Sequence, residues 1–212
     1  MADVVLVHGS MHGAWCWELL IPLLADLGHR VHAIDLPGQG ADTQPAEEVT
    51  ADDWAEAVAD AVRSAKEPAV LVGHSLGGTA VSQGAERVFD RVRGIIYISA
   101  IMIPAGETVL SACPEVQDIA KKTRQDAPDP ASAAIRLFYG HTPPELAAMA
   151  IARLRPQPPQ VVSAPLVITD ERYGRIPRAY IECEDDRILP LIVLRRLLQA
   201  LACSPVATMA GD

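Results

Sequence analysis

Five consecutive residues, Gly73-His74-Ser75-Leu76-Gly77, carry the clearest chemical signal in the chain: a serine with a glycine two positions away on each side. They follow a short apolar run, Ala69 to Val72, and lead into a helical pattern extending to about Arg87. A turn that sharp between strand and helix leaves no room for side chains two residues before or after its apex. It also strains the apical residue and exposes its hydroxyl. The helix start behind it favours negative charge, which develops when a serine attacks a carbonyl. Ser75 is therefore the candidate nucleophile for acyl transfer, and the backbone N–H of Leu76 a candidate donor to the oxyanion.

A serine hydroxyl is a weak nucleophile until a base takes its proton and a third group orients that base. With this kind of turn the acid follows the nucleophile in chain order, after a later strand. Arg178 to Cys183 reads as that strand, and Glu184, Asp185 and Asp186 follow it. The base is expected as a histidine after the last strand. The six histidines, His8, His12, His29, His32, His74 and His141, all precede Asp186. His8 and His12 read as structural histidines with satisfied hydrogen bonds. His74 adjoins Ser75, but neighbouring side chains on a tight turn point apart. Trp15 and Trp17 read as core or pocket wall.

The elements that must position these residues alternate strand and helix. Val4 to Val7 is an apolar run ending in His8-Gly9, as in a buried parallel strand. Trp17, Leu20, Ile21, Leu24 and Leu27 fall at helical spacing, with Gly28 placed to cap the helix. Val31 to Asp35 is the next strand. Thr50 and Asp53 form a capping-box pattern before a helix that buries Trp54, Val58, Ala61, Val62 and Ala65. Ile95 to Ser99 is a fourth strand. Residues 105–177 then read as helices and loops, with Thr142, Pro143 and Glu145 opening a helix through Ile151. Arg178 to Cys183, a helix from Leu191 to Leu201 and a strand from Pro205 to Met209 close the pattern. The expectation is a six-stranded, mainly parallel α/β sheet with helices on both faces. Residues 1–104 and 178–212 would form the core, and 105–177 a helical cap insertion.

Composition bounds the partners. The chain has 212 residues, half of them hydrophobic, and a net charge of −9. Mean hydropathy is +0.16, which excludes a disordered chain. Acidity without a basic cluster argues against nucleic acid and anionic membrane surfaces. No apolar run is long enough to span a bilayer, and MADVVLVHG lacks the basic start of a secretory signal. Cys16, Cys113, Cys183 and Cys203 are scattered, without metal-ligand spacing. They read as reduced, mostly buried thiols, which points to the cytoplasm.

The chain resembles the α/β-hydrolase fold and, more closely, the plant methylesterase and hydroxynitrile lyase family with its bacterial esterase relatives. The resemblance rests on VLVHGSMHGAWCW (5–17), GHRVHAIDLPGQG (28–40), VGHSLGG (72–78), TDERYGRI (169–176) and YIECEDDRILP (180–190). It covers most of the chain, but residues 105–136 match poorly. It implies that the N–H of Ser10 is the second oxyanion donor. It selects Asp186, four residues before Pro190, as the acid, with Asp185 the alternative. The family's catalytic histidine follows a Gly-Asp segment. Here Gly211-Asp212 closes the sequence, so that histidine is expected beyond a chain cut short. The family's cyanohydrin lyases tend to carry Thr in place of Gly9 and Glu or another residue in place of His74. Gly9 and His74 follow the esterase pattern.

The resulting expectation is a serine carboxylic-ester hydrolase acting on small methyl or short-chain esters, aromatic ones among them, through an acyl-enzyme. Gly9, His74, Leu137, Phe138 and Met149 would line the substrate pocket. The partner is a small-molecule ester. No metal or organic cofactor is implied, and a homodimer stays open. Richness in Ala, Arg and Pro points to a bacterium. The alternatives are a hydroxynitrile lyase, lactonase or thioesterase on the same scaffold, or a ligand-binding pseudoenzyme.

Overall fold

The structure, a computed structural model, describes residues 1–211, with Ala200 placed by its backbone only. Six strands run β1 (Asp3–Val7), β2 (Arg30–Ile34), β3 (Ala69–His74), β4 (Val92–Ile98), β5 (Arg178–Cys183) and β6 (Val206–Met209). They form one sheet in the order β2-β1-β3-β4-β5-β6, and each pair is parallel. The chain steps from β1 outward to β2, then returns to the other side of β1 for β3. Right-handed crossovers therefore put α1 (Leu20–Asp26) on one face of the sheet. They put α2 (Ala51–Ser64), α3 (Gly77–Arg87) and the late helix Leu191–Ala200 on the other. The reversal lies between β1 and β3, where a crevice opens at the carboxyl ends of the strands.

Alternation along the strands serves both faces. Val5, Val7, Leu71, Ile95, Tyr97 and Tyr180 join the large core under α2 and α3. Val4, Leu6 and Val72 face the smaller cluster built by Trp17, Leu20, Ile21 and Leu24. Register at the sheet's edge is set by a buried ion pair. Arg30 Nε and Nη2 donate to the two oxygens of Asp3 at 2.6 and 2.7 Å, and Glu67 N–H adds a third bond at 2.8 Å. Arg30 holds the Asp3 carboxyl far below the usual carboxylate range.

The first helix departs from the expected single helix over Trp17–Leu27. A 3-10 turn, Ala14–Trp17, precedes a shorter α1, and Leu27 is 73% exposed. Gly28, at φ +83°, ends α1 as expected. Its N–H bonds to Ala25 O and that of His29 to Leu24 O, the Schellman pattern that needs a left-handed residue. The Thr50–Asp53 capping box forms, opening α2 with Asp53 N–H donating to Thr50 Oγ1 at 3.1 Å and Thr50 N–H to Asp53 Oδ2 at 2.8 Å.

Between β4 and β5 the segment expected as the cap carries α4 (Val109–Ala112), α5 (Pro114–Asp126), α6 (Pro130–Phe138), α7 (Pro144–Ile151) and α8 (Pro159–Ser163); α9 (Leu191–Ala200) follows β5. Thr142 does not cap α7. Its N-cap is Pro143, because the residue before Pro144 must stay extended and the helix starts one position later than expected. The returning limb of the cap is tied to α3. Glu86 accepts the N–H and hydroxyl of Thr169 at 2.9 and 2.8 Å and the N–H of Tyr173 at 3.1 Å. Among the described residues, no helix is long and apolar enough to cross a membrane. No disulfide joins cysteines among the described residues; Cys113 is fully buried, and Cys16, Cys183 and Cys203 are half-buried rather than mostly buried as expected.

Thr50→Ala removes the side-chain acceptor at the start of α2 and is expected to cost about 1 kcal/mol, read as a lower urea midpoint at unchanged m-value.

Candidate active site

Strand order brings the candidate residues together. β1, β3, β4 and β5 are consecutive neighbours, so the loops leaving their carboxyl ends share one rim. Ser75 sits at the turn from β3 into α3 with φ +50°, a conformation a side-chain-bearing residue adopts only under constraint. The constraint is steric. A Cβ on Gly77 would lie 2.3 Å from His8 O, and one on Gly73 2.7 Å from Val81 Cγ2. Only glycine at both positions lets α3 start this close to β1.

Two peptide units aim their N–H groups from fixed positions. Ser75 O accepts from Ile101 N–H at 2.9 Å and Gly78 N–H at 3.0 Å. In a trans peptide this turns the Leu76 N–H the opposite way. Gly9 O takes the Nδ1–H of His8 at 2.8 Å, which orients the Ser10 N–H in the same manner. His8 Nε2 accepts the Leu36 N–H at 3.1 Å, and that bond fixes its tautomer. Neither the Ser10 nor the Leu76 N–H is engaged by another group among the described residues. His12 extends the scaffold: its Nδ1–H donates to Ser10 O at 2.7 Å, and its Nε2 accepts the Tyr139 hydroxyl at 2.8 Å. Burial holds His8 down to about 4 and lowers His12 as well. Both are structural histidines here.

Asp186 follows β5. Its Oδ1 accepts the N–H groups of Ile188 and Leu189 at 2.8 and 2.7 Å, and its Oδ2 accepts the hydroxyl of Ser99. Ser99 directly follows β4 at φ +38° and bonds through its N–H to Ile181 O at 2.8 Å. It therefore stands between the nucleophile's strand and the acid's strand. No sequence motif marked it; only the position of β4 between β3 and β5 reveals it. Asp185 is held differently, by its N–H on Gly211 O at 2.9 Å, with its carboxylate 3.8 Å from His141 Nε2. Glu184 N–H donates to Met209 O at 2.9 Å. The chain leaving β6 thus runs beside the acidic turn. Asp212, after which the resemblance expects the histidine, lies outside the described residues. No hydrogen bond joins the Ser75 hydroxyl to a histidine among them.

Ser75 opens into a cavity of about 260 Å3 that also exposes Ser10, Leu76 and Phe138 and is roofed by one face of α5. Ser10 Oγ donates to Gln157 Oε1 at 2.7 Å and ties the loop after β1 to the cap. Of the other expected pocket residues, Gly9 abuts the nucleophile: a Cβ there would lie 2.8 Å from Ser75 Cβ. Leu137 is on the buried face of α6 and does not line this cavity, because it and Phe138 are adjacent on that helix and point about 100° apart. His74 and Met149 line a separate cavity of about 430 Å3 with Trp15, Trp17 and Tyr139. Among the described residues no three His, Cys, Asp or Glu side chains are grouped as a metal site requires.

His8 and His74 are both held neutral by burial, at about 4 against an ordinary 6.5. The unfolded chain binds protons at these positions before the folded chain does, so stability rises with pH across this window. The urea midpoint is expected to fall from pH 7 to pH 4.5, and His8→Gln to flatten that fall.

The chain matches the model of the alpha/beta hydrolase family over residues 4–211. It is 33% identical over 208 residues to methyl jasmonate esterase 1 of Vitis vinifera, covering 87% of this chain and 79% of that protein. It is 30% identical over 228 residues to a pyrethroid hydrolase of Sphingobium wenxiniae, covering 99% of this chain and 80% of that protein. Among solved structures, a histidine-to-alanine variant of polyneuridine aldehyde esterase superimposes with a TM-score of 0.85 at 25% identity, over 98% of this chain and 90% of that one. With its sheet order, its strained serine and these relatives, the chain belongs to the alpha/beta hydrolase family, among its carboxylic-ester hydrolases.

Proposed function

We propose that the protein hydrolyses small carboxylic esters, methyl or short-chain, by way of an acyl-Ser75 intermediate. The observation that carries this is the pair of unengaged N–H groups, Ser10 and Leu76, on peptide units clamped from behind at the strained serine. Such preorganised donors stabilise an oxyanion without rearranging, which is where acyl-transfer enzymes gain most of their rate. In this reading Ser75 Oγ bonds to the ester carbonyl carbon as its proton passes to a histidine base. The carbonyl oxygen, now an oxyanion, accepts from Ser10 and Leu76 N–H. Collapse breaks the bond to the alkoxy group, which leaves as the alcohol with the histidine's proton. Water then attacks the acyl-serine by the same route and releases the acid.

Asp186 would orient the histidine, and the path of the chain from β6 past Asp185 supports a base carried just after Asp212. Ser99 would hold Asp186 in place. The contact of Gly9 with Ser75 favours hydrolysis over cyanohydrin cleavage, since a threonine there would press on the nucleophile. Cysteines outside disulfides among the described residues support the cytoplasm as the compartment, and composition supports a bacterial source.

In the full-length protein, a fluorophosphonate probe is expected to label Ser75. Ser75→Ala is expected to lower p-nitrophenyl acetate hydrolysis roughly ten-thousandfold or more, the scale seen for Ser–His–Asp units. Labelling of another residue would remove Ser75 from the mechanism. Methyl and short-chain esters are expected to turn over faster than mandelonitrile in purified protein, and the reverse preference would overturn the reaction assigned here.

Gly9→Thr is expected to reduce ester turnover by lowering kcat more than it raises KM, because it displaces the nucleophile rather than the substrate's remote parts.

A further inference from the structure

Residues 105–136, where family resemblance is weakest, include α5, and α5 roofs the cavity over Ser75. Its contribution is one stripe: Val116, Gln117, Ala120 and Arg124, spaced one and two turns apart. The stripe runs about 12 Å along the helix axis, from buried Val116 to exposed Arg124. Most of the rest of the lining is apolar, including Ile101, Phe138 and Ile188, and none of the lining residues is Asp or Glu.

The Arg124 guanidinium forms no hydrogen bond or ion pair among the described residues. Some arginines hold carboxylates instead, as Arg153 does with Glu18 and Arg196 with Glu115. A guanidinium without a protein partner, on a residue that lines an apolar cavity, is matched by an anion with planar acceptors, above all a carboxylate. It also supplies a local positive field in a chain whose net charge of −9 would otherwise repel an anionic substrate.

The geometry points to Arg124 as a specificity-determining residue that recognises a carboxylate on the substrate, so that the enzyme prefers half-esters of short dicarboxylic acids over neutral diesters. The inference rests on the esterase reading for the position of the scissile carbonyl at Ser75. The apolar wall contacts the methylene chain between ester and carboxylate, and the guanidinium at the rim takes the free acid end. Gln117, on the same stripe, supplies a neutral amide that can donate to the same carboxylate.

Titration calorimetry on the Ser75→Ala protein separates binding from turnover. Monomethyl adipate, with one free carboxylate, is expected to bind about tenfold tighter than dimethyl adipate, the worth of one charge-assisted hydrogen bond. That ratio is expected to fall to about one in Ser75→Ala/Arg124→Gln, to return in part with Arg124→Lys, and to shrink as salt rises. Equal or tighter binding of the diester by Ser75→Ala, a ratio that survives Arg124→Gln, or no binding of either ester overturns the proposal. Failure of the esterase reading shows elsewhere, as absence of Ser75-dependent hydrolysis of p-nitrophenyl acetate by the unsubstituted full-length protein.

Discussion

The first turn of α3 approaches the end of β1 so closely that Gly77 has no space for a single methyl group against His8 O. That contact dictates much of what surrounds it. It forces the left-handed Ser75, places the Leu76 N–H beside the loop carrying the Ser10 N–H, and makes the two loops one surface. The clamps behind the peptides, His8 on Gly9 O and Ile101 on Ser75 O, then fix the direction of both donors. Strain at one residue is held by the packing of two strands and a helix, which is how a sparsely populated conformation persists in a folded chain.

The sheet was readable because local signals agreed with the global arrangement. The apolar runs at β1 and β3, the capping box at Thr50 and the glycine after α1 each state one preference, and the topology satisfies all of them. Ser75 was readable for the same reason, since its flanking glycines report a steric demand. Asp186 and Ser10 came through resemblance. Three acids in a row look alike in sequence, and the turn at Ile188 and Leu189 together with the Ser99 hydroxyl distinguishes the carboxylate of Asp186.

What was not legible depended on contacts between distant segments. Ser99 meets Asp186 across 87 positions, because β4 lies beside β5. Gln157 reaches Ser10 across 147. Met149 faces a different cavity from Phe138, because α7 packs toward Trp15 and Trp17 while α6 presents Phe138 toward α5. The start of α7 moved by one residue through the rule that a residue before proline stays extended, which an isolated Thr-Pro-Pro-Glu string leaves ambiguous.

The cap leaves the sheet after β4 and is secured on return by Glu86 and Gln83 of α3, which bond to backbone groups of Val167, Thr169 and Tyr173. Backbone partners make few demands on the intervening sequence. The segment between these two anchor points can therefore exchange residues along the face that covers Ser75, provided Tyr139 and Gln157 keep their bonds to His12 and Ser10. Two rates of change can coexist in one gene: a slow one for the chemistry and a fast one for the chamber that selects what reaches it. Diversification of diet, for an enzyme built this way, needs no renegotiation of mechanism.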